Sequence, residues 1–593
     1  MLWPRQSLFF VTCFSLPAFG RGFVALVFLL VPVSLVWAQS GRPFADGALK
    51  KLNELEEPPA RGDVPAPKAA APVPPAAAPA APAAEAPQAS EASLRFDITQ
   101  FIAHGNTLIP QSRVDELLAS FTGPGRDFGT VQQALDTLEK AYAAAGFSAI
   151  QVLLPEQTLE SGAVHFLVVE SRLANIVVQG NTHFSSENYK RSLTSLEVGS
   201  TPNFDNLVDN LRVVNENPAK QATVVMRAGA NEGELDALVK TSDQSPLRYA
   251  LTFDNTGNIS TGSYRIGAAV QYANLFDRDH VISFQGITSP TKPEKVSIFG
   301  LGYQAPIYST NGMFGMFLGY SDVDSGQVST GGGKYNISGA GTVFGMRYAQ
   351  FLPKRGDWEH KVVVGFDWRA YQNNVTVVNG TTKLVPDVTV HPFSIVWQGT
   401  EKKADSELSA YLGVSRNIPG GTDGTDAQFQ SLGGRPGATA DYKIWRYGFN
   451  YQKAFTGDWA MRTNLSGQYT NQMLVTAEMF GVGGADSVRG FLEREHSNDT
   501  GHRGSFEVYS PDVGRQVSDL LKFRVLGFYD YGYVRRITPA PGEISSISIA
   551  SVGFGIRAGL GSDTTVRLDY AKVVDSSPSS RGMRMHGMLT YVF

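Results

Sequence analysis

From Leu247 to Phe593 apolar and aromatic side chains alternate with polar or small ones, and clusters of Gly, Asn, Asp and Ser interrupt the run. A period of two marks strands with unlike faces. Val552, Phe554, Ile556, Ala558 and Leu560 stand between Gly553, Gly555, Arg557 and Gly559. Val566, Leu568 and Tyr570 then alternate with Arg567 and Asp569; Met585, Leu589, Tyr591 and Phe593 alternate with His586, Met588, Thr590 and Val592. A soluble β-sandwich alternates too. These segments, however, run about 9–11 residues, the length of a tilted strand crossing a bilayer, and their apolar face carries the aromatics of a membrane girdle. Backbone groups in lipid have no water to pair with, so such a sheet must close into a barrel. Sixteen strands leave about 22 residues for each strand with its connection, enough for short turns on one side and longer loops on the other.

Composition agrees with this reading. Charged residues make up 18%, below the roughly 25% of soluble domains, while glycine (61) and aromatics (11%) run high. The net charge of −4 supplies no field to attract nucleic acid. The single cysteine, Cys13, falls in an N-terminal segment where Arg5 and Arg21 precede an apolar run, Gly22 to Ala38, that ends in a Val-x-Ala pattern before Gln39. Such flanks predict a cleaved secretory leader over 1–38 and an exported chain without thiol chemistry.

Beyond the leader, Ala45, Ala48, Leu49, Leu52 and Leu55 repeat at helical spacing, which predicts a short amphipathic helix within 39–57. Residues 58–93 are nearly all Pro and Ala and form a semi-rigid tether. An internal repeat follows, in which Gly105-Asn106-Thr107 recurs as Gly180-Asn181-Thr182. Each copy predicts the order β-α-α-β-β, giving two small α/β modules over 94–170 and 171–245 ahead of the barrel at 246–593.

The chain offers no catalytic motif: H-E-x-x-H, G-x-S-x-G and the P-loop are absent, and Thr330-Gly-Gly-Gly-Lys334 lacks the P-loop spacing. His496 and His502 read as residues of a solvated loop rather than metal ligands. Gly481 to Phe491 is glycine-rich, but no helix follows within a βαβ unit, so it reads as a long loop between barrel strands that presents Arg489. In Phe528-Tyr-Asp-Tyr-Gly532, Tyr529, Tyr531 and Tyr533 share the lipid face, so Asp530 points into the lumen. An Arg489–Asp530 pair is expected to hold the loop inside the barrel.

Val488-Arg489-Gly490-Phe491 and Phe528-x-Asp530-x-Gly532 resemble the loop-six motif and the partner strand motif of the outer-membrane transporters of two-partner secretion, the haemolysin/haemagglutinin secretion-and-activation proteins within the BamA-like barrel superfamily. The two modules resemble POTRA domains, including Pro155-Glu156-Gln157 and Gly162. The C-terminal Tyr591-Val592-Phe593 is similar to the terminal aromatic signal by which the barrel-assembly machinery recognises its clients, and the 39–57 helix is similar to the plug helix of these transporters. The resemblance implies a mainly β protein: a sixteen-stranded transmembrane antiparallel β-barrel behind two POTRA domains and an N-terminal helix. It also implies a monomer in outer-membrane lipid that exports one large secreted exoprotein, with no cofactor, metal, nucleic acid or catalysis. A factor that inserts other barrels into the membrane would use the same parts and is the alternative; two modules with a plug-like helix weigh against it.

Overall fold

A computed structural model of the chain describes residues 95–158, 161–330, 333–373, 376–377, 385–576 and 582–593. The predicted leader (1–38), helix (39–57) and tether (58–93) lie outside the described residues.

The first module pairs Gln100–His104 in parallel with Ala163–Val169, which also takes Gln151–Leu153 antiparallel. Helices Gln111–Leu118 and Phe128–Ala144 bury Val114, Leu118, Val131, Leu138 and Tyr142 against this sheet. Asp127 starts the longer helix by accepting the Thr130 N–H, an N-cap interaction. A short pair, Phe96–Ile98 with Gly123–Arg126, is an addition the period did not reveal. The second module repeats the plan: Arg172–Gln179 runs parallel to Glu234–Asp243, with Lys220–Ala228 antiparallel on its other edge. Its helices are Ser186–Ser192 and Phe204–Val214, capped by Ser185 and Asn203.

The repeated Gly-Asn-Thr turn is fastened the same way in both copies. In the first, the Glu170 carboxylate accepts the N–H groups of Thr107 at 2.7 Å and Leu108 at 3.0 Å. In the second, Asp243 accepts those of Thr182 at 2.9 Å and Phe184 at 3.1 Å. Each carboxylate lies at the end of its module's middle strand, so it ties the turn back to the sheet.

Beyond the modules, sixteen long antiparallel strands form a closed barrel. Closure joins the first strand, Leu247–Asp254, to the last, Met583–Val592, through pairs such as Phe253 with Leu589 and Leu251 with Tyr591. Alternation is visible on the outer surface, where Leu412, Tyr529, Phe554 and Tyr591 are exposed while Gly413, Asp530, Gly555 and Thr590 are not. That pattern follows from the requirement that lipid-facing side chains be apolar and every strand edge be paired.

The second module is docked on the barrel's first turns. Lys220 Nζ lies 2.7 Å from Asp279 Oδ2, both buried, and also donates to Asn188 Oδ1 at 2.8 Å. Asn217 Nδ2 donates to the Ala273 carbonyl at 2.7 Å, and Arg212 to the Leu352 carbonyl at 2.7 Å. Burial pulls the Lys220 ammonium below the usual lysine range, with Asp279 opposing the shift.

Candidate functional site in the barrel lumen

Between the strands Ala460–Tyr469 and Thr500–Tyr509 the chain does not extend away from the barrel. Instead it forms a hairpin, Phe480–Val482 paired with His496–Asn498, whose tip folds against the inner wall. Val488 and Phe491 at the tip bury themselves with Phe480, Val482, Val534, Ile549 and Val573. This apolar anchor leaves Arg489, 2% exposed, pointing at the wall.

The wall is built to receive it. Arg489 Nε and Nη2 donate to Asp530 Oδ2 and Oδ1, both at 2.7 Å, in the two-pronged arrangement that suits a planar guanidinium. The Arg489 backbone N–H reaches the same Oδ2 at 3.1 Å. Nη1 lies 2.8 Å from Glu507 Oε1 and 3.4 Å from Asp569 Oδ1, and Nη2 donates to Ser505 Oγ at 3.0 Å. The Phe528 ring closes one face, its centroid 3.4 Å from the guanidinium carbon. The Asp530 side chain is fully buried, so neither partner has water to fall back on.

Two glycines make room for this contact. Gly490 has φ +97°, a conformation in which its N–H donates to His586 Nε2 at 3.0 Å. At Gly532 an added Cβ would come within 2.9 Å of Val488 Cγ2 and 3.0 Å of Val482 Cβ. Thus the structure brings Val488, Arg489, Gly490 and Phe491 together with Phe528, Asp530 and Gly532. Tyr591 and Phe593 lie elsewhere, exposed on the outer surface at the closing seam, where Phe593 stacks on Tyr249 with ring centroids 5.3 Å apart.

Sequence reasoning missed Ser505, Glu507, Asp569 and His586. Parity could have found them, since each occupies an inward position of a strand whose neighbours face lipid. It also missed two further charge clusters. Glu478, at the start of the same loop, binds Arg369 at 2.9 Å, and Arg369 binds Asp367 at 2.5 Å. Asp499, at its end, receives both prongs of Arg435, the Leu474 N–H at 2.8 Å and the Ile537 N–H at 2.7 Å. Of the two histidines expected in a solvated loop, His496 lies in the hairpin. His502 is instead on a barrel strand, packed against Tyr531 and Tyr533, because the strand begins earlier than the local polarity suggests.

A closed barrel with paired modules at one rim and a loop drawn into its lumen defines a POTRA-barrel transporter of the outer membrane, its modules in the periplasm. Residues 233–558 match the family described as haemolysin secretion/activation protein ShlB/FhaC/HecB, and residues 96–171 match the POTRA domain of ShlB type. The chain belongs to that family, the transporters of two-partner secretion, which work with a secreted exoprotein partner. It is 22% identical over 507 residues to the heme/hemopexin transporter protein HuxB of Haemophilus influenzae, covering 82% of this chain and 85% of that one. It is likewise 22% identical over 437 residues to the outer membrane transporter CdiB of Dickeya dadantii, covering 71% and 74%. Among solved structures, CdiB from Escherichia coli superposes with a TM-score of 0.73 at 17% identity, covering 86% of this chain and 93% of that one. CdiB from Acinetobacter baumannii gives 0.66 at 16% identity, covering 92% and 97%.

Proposed function

We propose that this transporter receives one large, unfolded secreted protein on its POTRA modules and passes it through the barrel lumen to the cell surface. The observation that carries the reading is the Arg489 hairpin, which occupies the lumen and is held there by reversible polar contacts rather than by a covalent or continuous-sheet connection. Such a loop is firm at rest and displaceable as a unit. Val488, Arg489, Gly490 and Phe491 are its gating tip, and Phe528, Asp530 and Gly532 form the receiving wall.

Extended segments of the partner would add to exposed module edges, where main-chain hydrogen bonds demand little of the sequence. Folding of the partner outside would bias its movement. In the same reading residues 1–38 are removed after export and the 39–57 helix plugs the lumen. The protein acts as a monomer in outer-membrane lipid, and Tyr591 and Phe593 present the terminal signal to the machinery that inserts the barrel. Phe593 and Tyr591 are exposed at the seam, which supports that last role.

Quantitative proteomics of culture supernatant and outer membrane tests the proposal in the parent strain, a deletion strain and one restored with Arg489→Ala at matched abundance. Loss of one or two large exported proteins with other barrels unchanged is expected. Broad depletion of barrel proteins would overturn dedicated secretion in favour of barrel insertion.

A further inference from the structure

Two arcs of the inner wall are uncharged between the rims: the strands Pro392–Lys402 and Ser406–Asn417, where Ser394, Gln398, Ser409 and Gly413 point inward, and the four strands that open the barrel, which alone adjoin the second module's core. On the strands Leu247–Asp254, Arg265–Leu275, His280–Thr288 and Val296–Ile307, the inward positions between the two rims carry no charge: Thr252, Ala269, Gln271, Ser283, Gln285 and Gly300 are typical. Arg248 bounds this neutral lane at the periplasmic rim, its guanidinium turned to Gln244 Oε1 at 2.7 Å. Asp254 and Arg265 bound it at the far end.

Within the lane two amides stand out. Gln271 is 1% exposed, and neither its Oε1 nor its Nε2 has a hydrogen-bond partner; Gln285 is 5% exposed, with Nε2 unpartnered. They belong to adjacent strands, Gln271 opposite Ser283 and Gln285 opposite Ala269, so they are diagonal neighbours on one face. A buried, unsatisfied amide is a cost to the fold, and two side by side return nothing to stability. The lane also begins where the second module ends. Ala273 and Val281, the next inward positions toward the periplasm, pack in the module's own core, and the Ala273 carbonyl accepts from Asn217.

We propose that this lane is the track along which the exported polypeptide crosses the barrel, with Gln271 and Gln285 pairing to its extended main chain. The inference rests on the transport reading and adds a route to it. A carboxamide carries the same donor and acceptor as a peptide group, so it satisfies any backbone that passes without regard to side chain. A charged wall would hold segments of opposite sign and repel those of like sign, and a wholly apolar wall would strand the moving backbone polar groups. Small residues such as Ala269 and Gly300 leave width for passing side chains. The lane's start beside the docked module gives the chain a continuous path from capture to transit.

Site-directed photocrosslinking in cells tests this route. A photoreactive residue is placed singly at Gln271 and Gln285, and at Gln398 and Ser409 on the opposite wall. The exported partner, fused to a domain that folds too tightly to pass, is stalled in transit. Heat-modifiable migration of each variant confirms a folded barrel. Adducts to the stalled partner at 271 and 285, and their loss at 398 and 409, are expected. Adducts of equal strength on both walls, or only at 398 and 409, would overturn the lane while leaving transport standing. Adducts at 271 and 285 to the transporter's own residues 39–93, unchanged by the stalled partner, would also overturn it. A stalled partner captured at no luminal position would overturn passage through this barrel, and the lane with it.

Discussion

The two halves of the barrel wall share one outer face and differ inside. From Trp358–Asn373 through Thr564–Ser576, inward positions carry Asp367, Arg369, Arg446, Glu507, Asp530, Arg557, Arg567 and Asp569, most of them tied to one another or to the inserted loop. From Leu247–Asp254 through Val296–Ile307, between Arg248 at one rim and Asp254 and Arg265 at the other, the same positions carry Ala, Gly, Ser, Thr and Gln with a patch of Val and Ile; both polar atoms of Gln271 and the Nε2 of Gln285 are buried without a partner. Lipid dictates the outer residues everywhere, so the inner ones are free to specialise. One half is a lock and the other a surface with little to hold on to. Under the proposed transport function, in which the loop is displaced as the partner passes, the barrel has use for both.

The most severe test of this contrast is Arg489→Ala. Removing the cation strips the buried Asp530 of its partner beside Glu507, while Asp569 keeps Arg557 and Arg567, and breaking such a buried pair costs about 3–5 kcal/mol. We expect the hairpin to leave the wall. Limited proteolysis of the purified protein should then cut between residues 480 and 498, and planar-bilayer conductance should rise. A hairpin still protected in Arg489→Ala would mean that the apolar anchor of Val488 and Phe491 holds it alone and that the charged half is no lock.

A smaller effect is expected at the loop's far end. Asp499 joins three connections, through Arg435, Leu474 and Ile537. Asp499→Asn keeps the shape but converts charge-assisted bonds to ordinary ones and leaves one acceptor position as a donor, a loss of about 1.5–3 kcal/mol. The temperature at which the barrel loses its fast electrophoretic migration should fall, with less change in hairpin protection than Arg489→Ala gives. Equal loss of protection in both variants would show that the loop is held as strongly at its base as at its tip.

How far this could be read beforehand depended on range. Strand alternation, the duplicated modules and the inward direction of Asp530 are local, and Phe528 to Tyr533 alone carry the last of these. The union of Arg489 with Asp530 needed a loop to fold back across the lumen, and it was legible because an inserted cation needs a partner and Asp530 is the carboxylate that strand parity turns inward; the two motifs' resemblance then agreed. Parity alone turns Glu507 and Asp569 inward, but their meeting with Arg489 depends on the register of strands brought together by barrel closure. The neutral lane was equally hidden: glutamine at an inward position looks ordinary until the register places Gln271 between Ser283 and Arg248 and neither bonds to it.

The mildest prediction bears on that lane directly. Gln285→Met keeps length and rough volume while removing an amide whose Nε2 has no partner, so the folded state gives up no hydrogen bond through that nitrogen. Burying fewer unsatisfied polar atoms is neutral to slightly stabilising, within about 0.5–1 kcal/mol. Ser505→Ala, an equally small change on the charged half, deletes the hydroxyl that Arg489 meets at 3.0 Å and should cost about 1 kcal/mol. The two variants are therefore expected to shift the barrel's heat-modification temperature in opposite directions or by clearly unequal amounts. Export is expected to respond the other way round: rate of partner appearance in the medium falls in Gln285→Met, where the track loses a donor, and holds in Ser505→Ala, where Asp530 still grips the loop. Matched destabilisation by both would mean that Gln285 serves the fold as Ser505 does, and the division of the wall into a lock and a track would fail.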